Sequence, residues 1–122
     1  MPPTNINALM IKNTRFVIDV PDLKTSSAYY RDVLGFSVRD LGPGWKMYKL
    51  ESCLIMAGEW PGRTPDAYFA YIEMDHIDVY YQQVLAAKAE VLKQLVSEPW
   101  GMREFLIRTV DGHRIMFGQD LG

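Results

Sequence analysis

Residues 54–58 read Leu54-Ile55-Met56-Ala57-Gly58, and a second run much later in the chain reads Arg114-Ile115-Met116-Phe117-Gly118. Ile, Met and Gly keep their places in both, within stretches of strand-like composition. The likeness extends outward. Ile18-Asp19-Val20 recurs as Ile72-Glu73-Met74, Tyr29-Tyr30 as Tyr80-Tyr81, and Val33-Leu34 as Val84-Leu85. Matching them all requires a three-residue shift between strand and helix. Chance likeness of short apolar runs is the competing explanation, and the shared order of elements argues against it.

The intervening residues fit the same duplication. Phe16 to Val20 is rich in β-branched residues and reads as a strand ended by Pro21-Asp22. From about Lys24 to Leu34 the pattern is helical, with Ala28, Tyr29, Val33 and Leu34 on one side. Thr25 or Ser26 is the expected cap, and Gly35 the left-handed stop. Strands are predicted near Phe36–Arg39, Trp45–Leu50 and Cys53–Ala57, the first pair joined by Gly42-Pro43-Gly44. A Gly- and Pro-rich linker follows. Then come a strand over Tyr68–Met74 and a helix from Ile77 to about Ala87, with Ile77, Tyr80, Tyr81, Val84 and Leu85 as its stripe. Strands near Val91–Val96, Met102–Arg108 and His113–Phe117 complete the chain, with Asp111-Gly112 as the last turn. The expectation is an α+β fold of tandem βαβββ modules, one over about 8–58, a linker over 59–66, and another over about 67–120.

Composition narrows the partners. The 122 residues fit one domain, 48% of them are hydrophobic, and the formal charge is −2 with acids and bases interspersed. No basic run suggests nucleic acid, and no basic amphipathic stretch suggests a membrane surface. Met1-Pro2-Pro3-Thr4-Asn5 lacks the layout of a signal peptide, and the apolar runs are too short to span a bilayer. Cys53 is the only cysteine, so no intrachain disulfide is possible. A reducing, cytoplasmic setting and a buried, inert thiol are expected.

Two motifs carry a family resemblance. Asp22 through Phe36, with Ser26, Tyr30 and Leu34-Gly35-Phe36, resembles the "D…S…FY…LGF" opening of vicinal-oxygen-chelate proteins. This superfamily comprises glyoxalases, ring-cleaving dioxygenases, and fosfomycin- and bleomycin-resistance proteins. Pro99-Trp100-Gly101-Met102-Arg103-Glu104-Phe105 with Asp111-Gly112-His113 resembles its "WGxRxF…DPDG" ending, although Thr109-Val110 replaces the Asp-Pro. The resemblance implies modules curved as a mixed sheet around a cleft, pairing as a homodimer. It also implies metal ligands on the first and last strands of each module.

Those ligand positions fall on Arg15, Met56, Phe69 and Met116. Guanidinium has no lone pair to give, Phe has no donor, and thioether suits only soft metals. His76 reads as a loop or cap residue, and His113 lies on the opposite strand face from Met116. No metal or other cofactor is therefore expected. Alternation then places Val17 and Asp19 beside Arg15, Tyr71 and Glu73 beside Phe69, and Leu54 and Arg114 on the closing strands. With Trp45, Tyr48, Trp60 and Trp100 as stacking surfaces, such a pocket suits a flat or flexible organic ligand with a polar or cationic group. The bland alternatives are an Arg15–Asp19 ion pair within the strand and aromatics that serve only core or dimer contact. Arg103-Glu104 reads as a structural pair.

The leading expectation is a metal-free binding protein closest to the bleomycin-resistance branch, holding a drug or metabolite in a dimer cleft. The alternatives are a metal-dependent lyase or dioxygenase with other ligands, or a metal-free isomerase using Glu73 or Asp19 as general base. A third is an interaction module with a vestigial cleft. The fold hosts several chemistries and decides between none of them.

Overall fold

The computed structural model describes residues 9–62 and 67–122. Its elements run β1 (Phe16–Val20), α1 (Leu23–Asp32), β2 (Ser37–Asp40), β3 (Trp45–Leu50), β4 (Cys53–Glu59), then β5 (Tyr68–Glu73), α2 (Ile77–Ala86), β6 (Glu90–Ser97), β7 (Met102–Arg108) and β8 (Arg114–Asp120). This is the duplicated βαβββ order. Each module builds its own four-stranded mixed sheet, β1-β4-β3-β2 and β5-β8-β7-β6. In both, the first strand lies parallel to the last and the other pairs are antiparallel. The amino-terminal signal reading and the second half of the linker, residues 63–66, lie outside the described residues. The linker's first residue, Glu59, belongs to β4.

Alternation along the strands separates two faces. Ile18, Val20, Tyr48, Ile55 and Ala57 of the first sheet point to one core, as do Ala70, Phe105, Ile107, Ile115 and Phe117 of the second. Tyr30 stacks on Tyr48 at 4.3 Å between centroids, and Phe105 on Phe117 at 5.0 Å. Each such pair adds about 0.5–1.5 kcal/mol beyond burial. Tyr48 thus lies under the helix, not beside Trp45. The two are an odd number of residues apart and so face opposite ways.

Asp22, rather than Thr25 or Ser26, caps α1. Its carboxylate accepts from the Lys24 N–H at 3.2 Å and the Thr25 hydroxyl at 2.7 Å. Gly35 provides the left-handed stop, at φ 82°. The buried face of α1 is Leu23, Ser26, Ser27 and Tyr30, rotated from the apolar stripe. Two serines sit inside because their hydroxyls are satisfied there. Ser27 donates to the Leu23 carbonyl at 2.6 Å and Ser26 to the Asp111 carboxylate at 2.8 Å.

The helices correct the repeat alignment. The Leu23 N–H donates to Glu59 Oε2 at 2.9 Å, and the Ile77 N–H to Gln119 Oε1 at 3.0 Å. Glu59 follows Gly58 and Gln119 follows Gly118, so Leu23 corresponds to Ile77 and buried Tyr30 to buried Val84. The strand and helix share one offset, no three-residue shift exists, and the paired tyrosines match by coincidence.

The modules meet through reciprocal contacts. Phe16 of β1 packs edge-on to Phe69 of β5 at 5.7 Å. The Tyr80 hydroxyl of α2 donates to the Leu34 carbonyl at 2.7 Å, and Ser26 of α1 reaches Asp111 in the β7–β8 turn. Asp111 is 5% exposed, and burial lifts its carboxyl from 3.8 to about 6, with the Ser26 hydrogen bond opposing. The folded state therefore keeps a proton that the unfolded chain releases, so stability falls as pH rises through this window. The full cost, about 3 kcal/mol by linkage, stands above the folded value. Asp111→Asn keeps an acceptor for Ser26. Urea unfolding across this window should show the variant gaining on the parent as pH rises, and matching it in acid. Parallel pH profiles for the two proteins would contradict a buried, proton-holding Asp111.

Candidate functional site

The sheet faces turned away from the helices carry the chemistry. On β4 and β8 the outward positions are Leu54, Met56 and Gly58, and Arg114, Met116 and Gly118. Both glycines leave room for an aromatic. A Cβ on Gly58 would sit 2.8 Å from the Trp45 ring, and one on Gly118 would overlap the Tyr71 hydroxyl. Trp45 and Tyr71 therefore lie across bare backbone, each about half exposed.

In the first module a cavity of about 280 Å³ opens on this face, lined by Arg15, Ser37, Arg39, Met47, Lys49 and Leu54. Met47 is buried at its floor and pairs across the sheet with Met56. Arg15 donates to Asn13 at 3.0 Å and approaches the Met56 sulfur at 3.7 Å. Its contacts do not run along the strand to Asp19, which is half-buried opposite Gly58.

The second module's face is organised by Glu104. This carboxylate is 4% exposed, accepts from the Tyr71 hydroxyl at 2.6 Å and from Lys93 at 3.0 Å, and is hydrogen-bonded to Trp100. Burial alone would raise its pKa, but those hydrogen bonds and the Lys93 charge hold it below the ordinary value. Lys93 also reaches Glu98 at 3.3 Å and lies 5.6 Å from the centre of the Trp100 ring. Met116 sits beside Tyr71, and Glu73 is exposed opposite Gly118. Arg103 faces the other way and pairs with Asp78 at 2.8 Å, so Arg103 and Glu104 are not a pair.

Phe69 departs from simple alternation. The β5–β8 register shifts between Tyr68 and Ala70, an irregularity of the kind that re-aims a side chain. Phe69 consequently packs on Phe16 and, at 5.3 Å, on His113, while Tyr68 takes the outward place under the Arg114 guanidinium at 4.4 Å. His113 is buried, and burial depresses its pKa, partly offset by the Asp19 charge. His76 is exposed at the start of α2, at φ 57°. Cys53 is half-buried, and burial pushes its thiol up.

The expected residues thus fall into two groups. Arg15, Trp45 and Met56 share the first module's face, while Tyr71, Glu73, Trp100, Arg114 and Met116 share the second's. Arg39, Lys49 and Lys93 were missed, and Glu104 was read only as a structural partner of Arg103, because the middle strands were searched for aromatic rings and not for charges. Alternation on the middle strands was the available signal. A larger cavity, about 350 Å³, lies where the end of α1 meets α2. It is on the helix side, away from every family position, and Tyr80 there is already bonded.

Among the described residues no three His, Cys, Asp or Glu side chains are grouped to hold a metal. The positions that the resemblance assigned to ligands, Arg15, Met56, Phe69 and Met116, carry a guanidinium, two thioethers and an aromatic ring, a donor set that does not fit a divalent metal.

Removing the Glu104 carboxylate would take a shared acceptor from three donors that solvent reaches. Glu104→Ala should cost about 1–2 kcal/mol, a melting-temperature loss of about 5 °C, and Glu104→Gln distinctly less. Thermal unfolding of both variants checks this, and a Glu104→Ala protein melting like the parent would refute it.

Several solved structures share this architecture. A glyoxalase-related enzyme from Clostridium phytofermentans superposes with a TM-score of 0.80 at 15% identity, over 93% of this chain and 98% of that one. The bleomycin resistance determinant encoded on transposon Tn5 gives 0.78 at 16%, over 90% and 98%. TioX from Micromonospora sp. ML1 gives 0.76 at 18%, over 89% and 100%. No protein of curated function matches the chain in sequence. The model of the glyoxalase/bleomycin resistance protein/dioxygenase superfamily matches residues 13–117, and the chain belongs to that superfamily.

Proposed function

We propose that the protein binds a small organic molecule on the open sheet faces without using a metal, in a cleft formed between two copies of the chain. The observation that carries this reading is the replacement of the family's ligand positions by side chains suited to packing. Met56 and Met116 occupy equivalent places on β4 and β8, each beside a glycine crossed by an aromatic ring. Thioethers and rings adapt to irregular apolar shapes, and the surrounding charges would orient a polar group.

Exposure on these faces supports pairing. Val17 is 63% exposed, Trp45 41%, Tyr71 46% and Trp100 64%. Apolar side chains of this size gathered on one side of each sheet fit a surface that a second copy or a ligand covers. The resemblance to a bleomycin resistance determinant concerns the fold, and resistance is not inferred from it.

The test is a fragment screen by methionine-methyl NMR, using neutral and charged aromatic compounds. Shifts should concentrate at Met47, Met56 and Met116 and spare Met74, which lines the helix-side cavity. A screen that moves Met74 alone, or no methionine, would remove the reading.

A further inference from the structure

The two open faces share strand order and most of their pairing register, but differ in how their charges are matched. Register fixes the equivalences. Arg39 stands opposite Met47, which pairs with Met56, and Lys93 stands opposite Leu106, which pairs with Met116. Arg39 and Lys93 are thus the same position in the two modules. Likewise Trp45 pairs with Gly58 and Glu104 with Gly118. The second module puts a buried carboxylate where the first puts an indole.

That exchange leaves the first module's cations unmatched. In the second module Lys93 has Glu104 and Glu98, and Arg108 has Glu90 at 3.1 Å. In the first, the cavity is lined by Arg15, Arg39 and Lys49 with no carboxylate among its walls. Arg15 meets the neutral Asn13 side chain and Met56 sulfur, and neither Arg39 nor Lys49 forms an ion pair among the described residues. Three like charges around one hollow repel one another, and an anion placed between them relieves that repulsion. The floor is apolar, with buried Met47 and Leu54, and the Trp45 ring stands next to Met47 on the same face of β3.

Resting on the binding function proposed above, we infer that the ligand of the first module's face is an organic carboxylate. Its anionic group sits among Arg15, Arg39 and Lys49, in the role Glu104 plays in the other module, and its apolar body lies over Met47, Met56 and Trp45. Sequence reading pointed instead to a polar or cationic group, with Asp19 and Glu73 among the pocket's charges. Those two carboxylates lie toward the other end of their strands, opposite the glycines.

The probes are 4-phenylbutyrate, its neutral amide 4-phenylbutanamide and the cation 4-phenylbutylamine, titrated at low salt and followed at the Met47 and Met56 methyls. The carboxylate should bind at least about tenfold tighter than the amide, with an advantage that shrinks as sodium chloride is added. The amine should bind weakest. An R39Q/K49Q double variant should bring the carboxylate down to the level of the amide. If the amide or amine shifts these methyls at concentrations as low as the carboxylate does, the anionic preference is overturned while the binding function stands. If none of the three probes reaches Met47 and Met56, the carboxylate site is overturned, while the binding function still stands or falls by the broader fragment screen that includes Met116.

Discussion

Each closing strand does three jobs in four residues, and the geometry of the sites depends on that economy. Met56 and Met116 point to the open face. Gly58 and Gly118 leave backbone bare for an aromatic to cross. Glu59 and Gln119 then accept the first free N–H of the helix in their own module, at 2.9 and 3.0 Å. A helix start is a set of donors without intrahelical partners, so a side-chain acceptor carried by the sheet satisfies one of them. It also fixes which way the helix packs. Once the helix covers one face of the sheet, the other face is committed to whatever the outward side chains can bind.

From this shared frame the open faces of the modules have diverged most plainly in polarity. The second closes its face internally, with Glu104 gripped by Tyr71, Lys93 and Trp100. The first leaves a cationic hollow beside an indole. A buried carboxylate is costly unless its hydrogen bonds are all made, which is why Glu104 is held so fully. Arg39 and Lys49, being exposed, carry no such penalty and stay available to a ligand.

Much of the architecture was legible in the sequence. The order of elements, several strand limits and the repeat of Leu54–Gly58 in Arg114–Gly118 follow from period and turn chemistry, and β1, β3 and β7 fall where the pattern puts them. What escaped reading has physical causes. Ser26 and Ser27 are buried because hydrogen bonds satisfy them, and an apolar stripe cannot register that. Phe69 left its expected face because of a register shift between β5 and β8, which alternation assumes away. The repeated tyrosine pairs suggested a helix alignment that the capping contacts overrule. Of the candidate site, the outward residues of the first and last strands were largely placed. Glu104 and the cations of the middle strands were passed over because those strands were read only for stacking aromatics.

We propose that these faces bind without a metal, because the family resemblance assigns the ligand positions to Arg15, Met56, Phe69 and Met116. Elemental analysis tests it most directly, on untagged protein as purified and again after incubation with manganese, iron, nickel and zinc salts followed by dialysis. Negligible retained metal in every case is the expected result. Close to one metal ion per chain, with any of the four, would contradict the claim and move the search for ligands to His76, His113, Glu73 and Glu59.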